Sequence, residues 1–111
     1  PILPLLKKNI IDEHNIIIDL ATGVSGAGRF PKVSTMHSEV SEGFSSYSVA
    51  THRHLAEFDQ EFSLVAGKAV KVSFTPHLLP QNRGILATIY VKGFPKKVYE
   101  CLKDFYMVFL P

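Results

Sequence analysis

What the chain has little of narrows its class. A single cysteine, Cys101, excludes an internal disulfide framework and fits a reducing compartment, so the expected setting is cytoplasmic. No apolar run approaches the roughly 20 residues of a membrane-spanning helix, and no membrane partner is expected. Charge is also sparse: 12 Lys and Arg against 10 Asp and Glu leave +2, with the lysines scattered rather than gathered in a stripe. A backbone of phosphates therefore has nothing to track, which excludes nucleic acid as an expected partner. Neither a CxxC nor an HExxH pattern occurs, there is no internal repeat, and no low-complexity linker interrupts the chain. With 46% hydrophobic residues over 111 positions, one globular domain is expected, burying about two thirds of its unfolded surface.

The ends are equally bare. No methionine opens the chain, and Pro1-Ile2-Leu3-Pro4-Leu5-Leu6-Lys7-Lys8 has neither the basic region nor the small-residue cleavage site of a signal peptide. Tyr106 to Pro111 stops on apolar residues without a polar tail. The expectation is a domain that belonged to something longer, its boundaries natural, engineered or proteolytic.

Along the chain, Leu3, Leu5, Leu6 and Ile10 with Lys7 and Lys8 predict a short helix whose cations sit at the negative end of its dipole. Asp12 to Asn15 reads as a turn. Ile16 to Leu20 is a β-branched run, expected as a central strand buried on both faces. From Lys32 to Ala50 many serines predict loop with one short strand or helix. Leu55, Phe58, Phe62 and Val65 recur at helical spacing, with Gly67 as the stop. Val70-Val72-Phe74 and Ile85-Ala87-Ile89 alternate as two strands with a core face, joined by a loop carrying Pro76, His77, Pro80, Asn82, Arg83 and Gly84. Pro95 opens a last helix, in which Cys101 reads as a buried small hydrophobe beside Leu102.

Several groups could carry chemistry. Thr22-Gly23-Val24-Ser25-Gly26-Ala27-Gly28-Arg29 is a glycine-rich turn after a strand, but its glycines miss the dinucleotide spacing and Pro31 follows closely. It is either a tight turn needing positive φ or an anion-binding loop. His52 and His54 flank Arg53 ahead of a helix. In an extended segment both imidazoles would point the same way, yet a third metal ligand is lacking, so no metal site is expected. His54 with Glu57 can form a carboxylate-oriented general acid or base, or Glu57 can simply complement the helix dipole. Arg29, Arg53 and Arg83 carry the planar donor fork that suits carboxylate or phosphate, and each is equally at home in a surface ion pair.

Three stretches carry a resemblance. FTPHLLPQNRGILATIYV, GVSGAGR after a strand, and SEVSEGFSSYSVATHRHLAEFDQEF occur here in an order similar to that of the N-acetyl-gamma-glutamyl-phosphate reductases, NADP-dependent enzymes of arginine biosynthesis. The resemblance implies an α+β fold with a mixed, largely antiparallel sheet and helices on one face, like the C-terminal domain of glyceraldehyde-3-phosphate dehydrogenase-type proteins. Residues 1 to 111 would then be a single, partial catalytic and dimerisation domain, forming a homo-oligomer. It implies that His54 is the acid/base group, that Glu57 orients it, and that Ser25, Arg29, Tyr47, His52, His77 and Arg83 lie near an N-acetylglutamyl phosphate-type substrate. Ala56 stands where the family's HRHxPE pattern has proline, which bears on the start of that helix. In the family's reaction a cysteine thiolate attacks the acyl phosphate and NADPH reduces the resulting thioester to the semialdehyde. That cysteine lies in a Gly-Cys-Tyr type sequence that this chain does not contain, and Cys101 does not match it. No cofactor is therefore expected on this chain alone, and no turnover. Two readings from other classes stand beside it: a non-catalytic remnant acting as an oligomerisation module through an unprotected sheet edge or its apolar ends, and an anion-binding module built on Gly23 to Arg29 and the histidine pair.

Overall fold

A computed structural model describes residues 1–27, 33 and 36–107. The elements are α1 (Ile2–Lys7), β1 (Ile16–Thr22), a 3-10 turn (Val24–Ala27), α2 (His37–Val40), β2 (Ser45–Ser46), α3 (His54–Ala66), β3 (Val72–Leu78), β4 (Ile85–Tyr90) and α4 (Pro95–Met107). The fold is α+β with one four-stranded sheet in the order β2-β3-β1-β4. β2 and β3 are antiparallel, with Ser45 opposite Leu78 and Ser46 opposite His77. The Leu79 amide, just past β3, donates to the Thr22 carbonyl at the end of β1, so those two strands run the same way. The Gly23 amide, just past β1, donates to the carbonyl of Gly84, which precedes β4, so that pair is antiparallel. The sheet is thus mixed and largely antiparallel, as expected. The chain packs as two compact units: Pro1–Ile17, Arg53–Val72 and Tyr90–Pro111 form one, Ile18–His52 and Ser73–Ile89 the other.

In the first unit α1 packs on α3 and α4. Its Ile2, Leu5 and Leu6 are buried, and Cys101 is buried as the sequence predicts, its Sγ 3.8 Å from the Pro4 carbonyl. The helix ends on Asn9 at φ 52, with the Ile10 amide donating to Leu5 and the Asn9 amide to Leu6. This closes the last carbonyls with asparagine in the left-handed position usually given to glycine. α3 ends on Gly67 at φ 68, the predicted stop. One face of α3 holds the approach to β3: Ser63 Oγ accepts from the Val70 amide, and Asp59 Oδ1 accepts from Val72.

Four expectations are corrected. Ile17 is 44% exposed while Ile16 and Ile18 are buried, so the first strand is covered on one face only. It is nonetheless interior, between β3 and β4. β4, one of the two end strands, has no core face: Ile85 is 64% and Leu86 67% exposed, with no covering layer among the described residues. Pro76 and His77 lie within β3 rather than in the loop. The Pro76 carbonyl accepts from the Tyr47 amide at 3.1 Å, and its ring is fully buried. Gly23 and Gly26 do not have positive φ. They are glycines because a Cβ at Gly23 would lie 2.8 Å from the Gln81 carbonyl oxygen, and one at Gly26 2.7 Å from Thr22 Oγ1. Lys32 to Ala50 contains both a short helix and a short strand.

Candidate functional site

In the first unit the candidate residues are Arg53, His54 and Glu57. Arg53 is the residue before α3, with φ −54 and ψ −36 and no side-chain cap. The Arg53 side chain therefore does not cap the first amides of the helix. His54, half-buried, is the first helical residue and Glu57, exposed, lies in the same first turn, where a carboxylate favours the positive end of the dipole. The helical Arg53 corrects the extended alternation assumed for His52 and His54. The backbone is already turning into α3 at Arg53. Among the described residues no three His, Cys, Asp or Glu side chains gather as a metal site.

The second unit brings the other candidates into three places. Tyr47 and His52 meet edge to face, centroids 5.8 Å apart, and His52 lies 5.3 Å from Phe74 at 71°. His77 stacks on Phe44 at 5.0 Å and 20°. Phe74 and His77 are an odd number of positions apart on β3, so they project to opposite faces of the strand. The structure therefore joins Tyr47 with His52 but sets His77 on the other side of β3. The third place is the loop between β3 and β4, where the amides of Val24 and Ser25 donate to the carbonyls of Gln81 (2.9 Å) and Asn82 (3.1 Å). This fixes Ser25 beside the backbone next to exposed Arg83. Arg29 lies outside the described residues.

Three participants escaped the sequence reading. Phe44 and Phe74 are the rings against which the imidazoles pack, and neither carries a polar atom to draw notice. Only the three-residue spacing of Phe74 and His77 on one strand could have separated their faces. The segment between Tyr47 and His52 is the third. Ser48 and Ala50 have φ of 47 and 57, and the Thr51 amide donates to the Ser48 carbonyl at 3.1 Å. For side chains other than Gly, Asn or Asp the left-handed region costs about 1–2 kcal/mol per residue.

The turn at Gly23 lacks the form of a dinucleotide-binding loop. A dinucleotide loop needs glycines that leave room for a pyrophosphate and open a helix. Here the space beside Gly23 is filled by the backbone of Gln81 and Arg83, and among the described residues the glycine turn enters a 3-10 turn over Val24–Ala27.

Comparison with known proteins identifies the family. Residues 1–108 match the family described as semialdehyde dehydrogenase, dimerisation domain. Proteins named N-acetyl-gamma-glutamyl-phosphate reductase are similar over most of the chain. One from Cereibacter sphaeroides is 56% identical over 107 residues, 96% of this chain and 31% of the relative. One from a Jannaschia species is 56% identical over 104 residues, 93% of this chain and 30% of the relative. One from Afipia carboxidovorans is 57% identical over 93 residues, 84% of this chain and 26% of the relative. The chain spans about a third of the length of the curated relatives it matches. On the match over nearly its whole length, the chain belongs to the semialdehyde dehydrogenase dimerisation-domain family.

Proposed function

We propose that these 111 residues are a partial catalytic and dimerisation domain of an N-acetyl-gamma-glutamyl-phosphate reductase of arginine biosynthesis, working in the cytoplasm and inactive by themselves. The observation that carries the reading is the 56% identity across 96% of the chain, which includes the segment where His54 opens α3. His54 is the proton donor and acceptor at the reacting carbonyl, and Glu57 orients it. Tyr47 and His52 line the substrate, with Ser25, Arg29, His77 and Arg83 supplying donors to its carboxylate or phosphate. The thiolate and the NADP site come from outside these residues, since Cys101 is buried and the glycine turn is closed by backbone.

The test is NADPH oxidation with N-acetylglutamyl phosphate. The purified chain gives no saturable rate. Activity appears when a complementary fragment supplies the cofactor domain and cysteine, and His54→Asn then lowers kcat by about 10²–10⁴. Saturable oxidation by the chain alone, or full activity of the His54 variant after complementation, sinks the proposal.

The family's description and the exposed edge also favour homo-oligomerisation, with a second copy seated on β4, whose Ile85 and Leu86 face out.

A further inference from the structure

The turn between Tyr47 and His52 is built against local preference. β2 delivers Tyr47 to β3, where its amide donates to the Pro76 carbonyl at 3.1 Å, and the chain must come back within four residues to set His52 against the Tyr47 and Phe74 rings. The reversal is a β-turn over residues 48–51, closed by the Thr51 amide on the Ser48 carbonyl. Of its two central residues only Ala50 has positive φ, at 57. That is the type II pattern, whose third position normally takes Gly or Asn. Alanine there strains the folded backbone but denies the turn the many alternative conformers that glycine would allow. Ser48, Val49, Ala50 and Thr51 are all exposed, so burial of a methyl group does not account for the choice.

We propose that Ala50 is a positioning residue: its left-handed backbone locks the turn that holds the His52 imidazole between Tyr47 and Phe74. The importance of this for substrate rests on the reductase reading; the positioning of the ring does not.

The experiment compares the full chain with Ala50→Gly and Ala50→Asn. Glycine releases the strain, so the urea midpoint of Ala50→Gly rises. Its His52 ring protons move toward free-imidazole positions, and their cross-relaxation with the Tyr47 and Phe74 rings falls below about half, as the turn samples more conformers. Asparagine tolerates the same φ while keeping a Cβ, so Ala50→Asn retains the His52 signature. The proposal is overturned if Ala50→Gly keeps the ring contacts, if its midpoint falls, or if Ala50→Asn loses the contacts as glycine does. In the complemented reductase, loosening His52 raises KM more than it lowers kcat. Lost ring contacts with an unchanged KM would leave the positioning in place and count against His52 as a substrate residue.

Discussion

Gly23 is the position where a single methyl group tests the geometry beside the candidate loop. A Cβ there would lie 2.8 Å from the Gln81 carbonyl oxygen, 2.9 Å from the Arg83 nitrogen and 3.0 Å from the Arg83 carbonyl carbon. Ordinary carbon contacts begin near 3.5 Å, so the facing backbone would have to retreat by about half an ångström. It is not free to do so. Gly23, Val24 and Ser25 donate to Gly84, Gln81 and Asn82 at 2.9, 2.9 and 3.1 Å, and Leu79 is tied to Thr22 at 2.9 Å. Overpacking costs about 1–3 kcal/mol, and each weakened hydrogen bond adds a fraction of about 1 kcal/mol, so Gly23→Ala is expected to cost about 2–4 kcal/mol.

Two other glycines separate this cause from a general penalty. At Gly26 the added Cβ meets the Thr22 hydroxyl, a side chain that can rotate away by giving up its bond to the Gly23 carbonyl, for about 1 kcal/mol. At Gly67 nothing lies within 4 Å and only the left-handed φ of 68 opposes alanine, again for about 1 kcal/mol. Urea unfolding of the three variants, with amide spectra of Val24, Ser25 and Gly84, measures the order. If Gly23→Ala costs no more than Gly67→Ala, or leaves those three amides unshifted, the contact between the glycine turn and the β3–β4 loop is not as described.

Two further predictions concern charge and association. The Glu13 carboxyl is held below its ordinary 4.5 chiefly by a hydrogen bond from Lys68, and that of Asp12 below 3.8 chiefly by the His14 amide and then by the Asn15 side chain. The folded state then binds fewer protons than the unfolded chain, so this stabilisation is complete above the unfolded values and is lost as pH falls through the lower folded ones. Urea midpoints should decline as pH falls through the carboxylate range, and Glu13→Gln with Asp12→Asn should lower the neutral value and make that decline shallower; an unaltered acid slope would dismiss both groups. For the proposed partner surface, Leu86→Arg places a charge on the exposed terminal strand and should weaken self-association at least about tenfold by sedimentation, an apparent loss of about 1.4 kcal/mol. A monomer at every concentration in the unmodified chain, or unchanged association in the variant, would remove β4 as the interface.

The parts of the fold legible in the sequence are those where one periodicity acts alone. Leu55, Phe58, Phe62 and Val65 followed by Gly67 define α3 because helical spacing and a left-handed stop agree. Alternation likewise gives the buried face of β3, where Val72 and Phe74 point inward. The same alternation misled at Ile85-Ala87-Ile89. Periodicity says which residues share a face but not whether anything covers it, and β4 is one of the two end strands of the sheet. Ile17 fails for the same reason: a β-branched run signals a strand, while burial of its second face depends on neighbours the run does not specify.

The candidate site is less legible because its decisive features go against residue preference. Pro76 and the turn at Ala50 are the two cases. A proline reads as a loop signal, yet here its carbonyl is the acceptor that brings Tyr47 to β3 and its ring fills the core. A turn with positive φ is announced by glycine or asparagine, yet Ala50 carries it with neither. Pro76 accepts from the Tyr47 amide and Ala50 lies in the turn from Tyr47 to His52, and each is a residue stiffer than glycine. Stiffness lowers the entropy lost when a ring is fixed and raises the cost of the folded backbone, an exchange worth making only where the orientation of one side chain matters more than a kilocalorie or so of stability. The failure of local rules at Pro76 and Ala50 thus falls around the Tyr47 and His52 rings, while the rule-abiding part of β3 supplies the frame beside them.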